Sequence, residues 1–127
     1  MKRILIVDDS SMILALFRQA LSGLAGCHLH TVRNGQEALD AIRVHGEPDL
    51  VFLDVNMPVM DGLEFLATSV GAGLADRVPV VIVSTEGRDE DVQRGLDAGA
   101  RAYLRKPFQI PALLALARQL LGSETPA

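Results

Sequence analysis

Five short apolar runs, each rich in β-branched or aromatic residues and each followed by a longer segment of helical period, set the tightest limit on how these 127 residues can fold. The runs predicted as strands are "RILIV" from Arg3, "HLHTV" from His28, "LVFLD" from Leu50, "VVIVS" from Val80 and "AYLRK" from Ala102. Strands alternating with helices make a parallel sheet covered on both faces, so the chain reads as a doubly wound α/β domain. The second and fifth runs are the more polar and are expected at the edges. Ser11 is placed as the cap of a first helix whose Ile13, Leu14, Phe17 and Leu21 recur at three- and four-residue spacing before Gly23. A second helix runs from about Gln36 to Gly46. A third follows Gly62 and stops in the "GAG" of residues 71–73. A fourth starts near Asp89 and ends at Gly99, and the last runs from about Ile110, with Pro111 in its first turn, to Leu121.

The length suits one domain with a full core, and a hydrophobic share of 49% supplies that core. A formal charge of −4 argues against non-specific nucleic-acid binding, which needs a basic face to displace counterions, so no nucleic-acid partner is expected. Cys27 is the single cysteine, so no intrachain disulfide forms, and a cytoplasmic setting is expected. No early segment has the form of a signal peptide, and no stretch approaches the roughly 20 apolar residues that span a bilayer.

In open parallel sheets, ligands bind outside the carboxyl ends of the strands. Asp8 and Asp9 come directly after the first strand, Asp54 closes the third, Ser84 the fourth and Lys106 the fifth. Each has an ordinary explanation alone: Asp9 as a helix cap, Asp54 as a turn residue, Ser84 as a partner for a loop amide. Together they bring three carboxylates, a hydroxyl and an ammonium to one rim. Adjacent carboxylates raise each other's cost of ionisation, and Lys106 offsets only one of them. A hard divalent cation with oxygen ligands resolves this, and Mg²⁺ suits a few carboxylates plus phosphate oxygens best. Aspartate can accept a phosphoryl group, and Asp54, alone at the end of the central strand, is the candidate nucleophile. Ser84 and Lys106 are placed to hold the phosphoryl oxygens.

"ILIVDDS", "VFLDVNMPVMDGLEF", "VVIVST" and "AYLRKPF", in this order and spacing, resemble the receiver domain of bacterial two-component response regulators. The resemblance covers Lys2 to Leu121, with residues 122–127 left as a polar tail. It implies the flavodoxin-like strand order 2-1-3-4-5. It also implies Asp54 as phospho-acceptor, Asp9 as a direct Mg²⁺ ligand, Asp8 as holder of metal-bound water and the Asn56 backbone carbonyl as a third ligand. Ser84 matches the switch hydroxyl, Lys106 the phosphoryl-contacting lysine, Tyr103 the aromatic switch and Pro107 a proline after a cis bond. Asn56 and Glu86 match the positions that tune dephosphorylation. Two departures stand out: Ser84 replaces the commoner threonine, and Thr85 sits where a very small residue is usual.

The resemblance further implies a histidine kinase or phosphotransfer protein as donor, and a domain that catalyses only its own phosphorylation and dephosphorylation. Output is expected through protein contact on the face made by the fourth helix, fifth strand and fifth helix, with Leu116 or its neighbours exposed for a partner. "NMPVMDGLEF", the "DDSS" entry and Tyr103 lean toward the stand-alone chemotaxis branch, whose target is the flagellar motor switch. A phosphorelay intermediate and a receiver detached from a larger regulator share the same motifs. A flavodoxin-type electron carrier is disfavoured because "DDSS" repels a flavin phosphate. A phosphatase of the haloacid dehalogenase type is disfavoured because Asn56 cannot act as the general acid. His28 and His30 alternate along an edge strand and His45 belongs to a helix read as distant, which argues against zinc.

Overall fold

A run that is apolar at nearly every position is stable only when covered on both sides, and Leu50–Asp54, buried throughout, lies at the centre of a five-stranded sheet. The computed structural model describes residues 2–57, 59–85 and 89–122. Its strands are β1 (Lys2–Val7), β2 (Cys27–Val32), β3 (Leu50–Asp54), β4 (Val80–Thr85) and β5 (Ala102–Lys106), all parallel, in the order β2-β1-β3-β4-β5. Between and after them lie α1 (Ser11–Leu21), α2 (Gly35–His45), α3 (Gly62–Ala67), α4 (Ser69–Arg77), α5 (Asp89–Asp97) and α6 (Ile110–Gly122).

The alternation of side chains along each strand divides the core in two. Ile4, Ile6, Phe52, Val81 and Val83 pack with α1 and α6, where Phe17 meets Phe52 and Phe108 at ring-centre distances of 5.1 Å each. Leu5, Val7, Val51, Leu53 and Ile82 face the opposite way, against Ala38 and Leu39 of α2, Phe65 and Leu66 of α3, and Leu74 of α4. Burying both faces fixes strand register, because a one-residue slip would send every core side chain to the wrong layer.

Local chemistry corrects four sequence-based expectations. Ser10 caps α1, its hydroxyl accepting from the Ile13 amide at 3.2 Å, while Ser11 is the first helical residue. The expected third helix is two helices. Asp61 and Glu64 form a reciprocal capping box that starts α3. Thr68 then turns extended, with its hydroxyl donating to the Phe65 carbonyl at 2.6 Å and accepting from the Gly71 amide at 2.9 Å, so one residue ends α3 and caps α4. Gly71 lies inside α4, because a Cβ there would overlap the Phe65 carbonyl oxygen. Leu116 itself packs, partly buried, against the α1 side of the core, and it is its neighbour Ala115 that is exposed.

The fourth correction concerns His45, which is not distant from the edge strand. Arg3 donates to the carbonyls of His45 and Glu47, both at 2.6 Å, and ties the end of α2 to β1. The His45 ring thereby meets the His30 ring at 5.2 Å between centres and 79° between planes. Burial holds His30 below the ordinary imidazole pKa, with His45, His28 and Arg3 adding to the effect.

Between β3 and α3 the chain passes through Val59, whose φ of 68° lies in the left-handed region although the residue is β-branched and 79% exposed. A β-branched side chain there costs about 1–2 kcal/mol, against a smaller entropic cost for glycine. Val59→Gly is therefore expected to stabilise the domain by about 0.5–1 kcal/mol, read as a higher urea midpoint at unchanged m-value.

Candidate functional site

Parallel strands end together, so the residues at the carboxyl ends of β1, β3, β4 and β5 converge on one rim. Asp8 and Asp54 are almost wholly buried there, Ser84 is fully buried, and Asp9 is the most exposed of the acids. Carboxylate oxygens of Asp8, Asp9 and Asp54 all lie within 4.8 Å of one another. Lys106, reaching across from β5, places Nζ 2.7 Å from Asp8 Oδ2 and 3.4 Å from Asp54 Oδ2. Four of the residues singled out from the strand ends, Asp8, Asp9, Asp54 and Lys106, are thus brought to one place, and Ser84 lies near the carboxyl end of β4, between β3 and β5.

The second layer holds the loops in shape. The Ser10 amide donates to Asp8 Oδ1 at 2.9 Å, and the Asn56 amide donates to Asp54 Oδ1 at 3.3 Å. Arg33, just past the end of β2, donates to the Asp9 carbonyl at 2.6 Å and to Ser11 Oγ at 3.2 Å, fixing the loop that carries Asp9. The Gly35 amide donates to the Met60 carbonyl at 2.7 Å and anchors the loop after Asp54. The sequence points to neither contact. An arginine just past an edge strand is an ordinary solvent-facing residue, and nothing local signals its long-range partner.

Electrostatics sets the character of the site. Burial, then the neighbouring Asp8 carboxylate, pushes the Asp54 pKa from 3.8 up to about 6, while Lys106 and the Asn56 amide pull it back. Asp8 Oδ2 and Ser84 Oγ are buried with no hydrogen bond, although Asp8 keeps its ion pair with Lys106. Buried polar atoms without hydrogen bonds are costly, and they mark places where an added group can bind. Three carboxylates against one ammonium offer the donor set of a hard divalent cation.

Tyr103 points outward, 46% exposed, with the Arg105 guanidinium 5.6 Å from its ring centre and Arg105 ion-paired to Asp89 of α5. The Lys106–Pro107 peptide is cis. Thr85 and Asn56 are exposed at the mouth of the site, and Glu86 lies outside the described residues.

A parallel five-stranded sheet of order 2-1-3-4-5 with acids clustered at its carboxyl rim is a flavodoxin-like fold of the kind receiver domains adopt. The comparisons agree, since residues 4–118 match the response regulator receiver domain, and the chain belongs to that family. It is 40% identical over 124 residues to the response regulator MprA of Mycolicibacterium vanbaalenii, covering 98% of this chain and 52% of that protein. It is 40% identical over 119 residues to the transcriptional regulatory protein PrrA of Mycobacterium tuberculosis, covering 94% of this chain and 49% of that one. The chain therefore spans about half the length of these curated relatives. Among solved structures it resembles a CheY-like response regulator receiver domain protein from Methanospirillum hungatei, with a TM-score of 0.84 and 30% identity over 97% of this chain and 95% of that one. The lean toward chemotaxis finds no support in the curated relatives, one of which is named as a transcriptional regulator. No helix among the described residues is long and apolar enough to cross a membrane.

Proposed function

We propose that this receiver accepts a phosphoryl group on Asp54, from a histidine kinase or phosphotransfer protein, at a site that also takes Mg²⁺. The observation that carries the reading is the buried, under-neutralised cluster of Asp8, Asp9 and Asp54 facing the Lys106 ammonium. Asp8, Asp9, Asp54 and the Asn56 carbonyl would hold the ion, which supplies positive charge to the carboxylates and to the incoming phosphoryl oxygens. An ionised Asp54 oxygen attacks phosphorus, the bond from phosphorus to the donor breaks, and its electron pair leaves with the donor. Lys106 pairs with the phosphoryl oxygens, and Ser84 Oγ, buried without a partner, donates to one of them. The Asn56 amide keeps the second Asp54 oxygen oriented.

The added group brings nearly two negative charges to a site that already has too few cations. Ser84 and Lys106 are drawn toward it, and Tyr103 turns inward from its stacking with Arg105, altering the face formed by α5, β5 and α6. Of the possible settings, the receiver half of a longer regulator is favoured over a chemotaxis protein. Support comes from the partial coverage of its relatives and from the name of PrrA as a transcriptional regulatory protein. The test is to treat the protein with a small acyl phosphate, with and without Mg²⁺, and weigh the product. Wild type gains one phosphoryl group only with the ion, whereas Asp54→Ala gains none. Labelling of the variant, or labelling indifferent to the ion, overturns the assignment.

A further inference from the structure

Far from the acidic rim, β2 and the end of α2 enclose a groove of about 310 Å³ whose wall includes His28, His30, His45 and Arg3 over an apolar floor of Leu5 and Ile42. Two residues apart on a strand, His28 and His30 share one face, and His45 arrives from the last turn of α2. Two imidazoles bound through nitrogen to one tetrahedral ion at about 2.0–2.1 Å have ring centres roughly 5 Å apart. The His30 and His45 rings lie at 5.2 Å, steeply inclined at 79°. We propose that His30 and His45 form a second metal site, for a borderline transition ion such as Zn²⁺, distinct in place and in ligand chemistry from the oxygen-lined Mg²⁺ site.

An anion is the poorer occupant. Arg3, the cation in the groove wall, already donates to the carbonyls of His45 and Glu47. The imidazoles offer lone pairs while neutral, the form that metals require and the one burial favours at His30. The carboxyl end of α2 also presents the negative pole of its dipole at His45, which favours a cation. Nitrogen ligands select zinc-type ions over magnesium, so the two sites do not compete for one metal. A bound ion would cross-link the edge strand to the second helix.

The test is calorimetric titration of the whole chain with Zn²⁺ in excess Mg²⁺, using wild type, His30→Gln, His45→Gln and Asp9→Asn. One saturable zinc site is expected in wild type and in Asp9→Asn, at least tenfold weaker in either histidine variant, together with a zinc-dependent rise in Tm. Wild-type NMR supplies a readout that needs no variant: the ring protons of His30 and His45 should shift together as zinc is added. Absence of a saturable site, affinity unchanged in both histidine variants, or zinc shifts confined to the acidic rim overturns the proposal.

Discussion

Alanine at Gly62 should destabilise the domain by about 3 kcal/mol, because overpacking a buried site costs roughly 1–3 kcal/mol and here the obstacle is backbone. Gly62 is the first residue of α3 and is buried against the end of β3. A Cβ there would overlap the Asp54 carbonyl oxygen and stand 3.1 Å from Leu53 Cγ. Helix propensity alone favours alanine over glycine by about 1 kcal/mol, so the sign of the result decides between the two effects. The clash wins, since Asp54 cannot yield without disturbing the central strand. Urea unfolding reads the loss directly, and slower labelling by an acyl phosphate should accompany it. A more stable Gly62→Ala protein would show that α3 can draw away from the strand.

The second large effect is a dependence on pH centred on Asp54. Its folded pKa of about 6 stands above the ordinary 3.8, so between these values the folded protein holds a proton that the unfolded chain releases. Stability from this group is therefore fully present below pH 3.8 and falls as the pH rises through 6, by about 3 kcal/mol in total. Asp54→Asn stays uncharged throughout and escapes that loss. With chelator present, the variant should be more stable than wild type at pH 8 by up to about 3 kcal/mol, a gap that closes toward pH 4. Added Mg²⁺ should narrow the gap by favouring the ionised carboxylate of wild type. Equal stabilities at pH 8 would mean that Lys106 compensates the carboxylates more fully than its 3.4 Å contact with Asp54 suggests.

Features that repeat, or that stand at a strand end, were legible in the sequence. Periodicity located all five strands, and the rule that ligands gather at carboxyl ends collected Asp8, Asp9, Asp54, Ser84 and Lys106 from their linear order alone. The break at Thr68 escaped because apolar residues continue at helical spacing through it. Its signal was a threonine able to cap, and the Asp61-x-x-Glu64 box announcing α3 was equally visible. Arg33 and His45 illustrate a different limit. Their partners, the Asp9 carbonyl and the His30 ring, lie 24 and 15 positions away, and only tertiary packing decides that they meet.

Asp54, the proposed acceptor, ends the most thoroughly enclosed strand of the sheet, whereas Lys106 arrives from a peripheral strand whose residues are mostly half-covered. In hydrogen exchange, amides of Leu50 to Leu53 should therefore open only when the whole molecule unravels, while those of β5 exchange through smaller excursions. The chemistry is thus mounted on a fixed anvil, and the parts that respond to it hang on the pliable side of the open sheet. Signal and scaffold are separated by two hydrogen-bonded ladders, which lets one side yield without loosening the other.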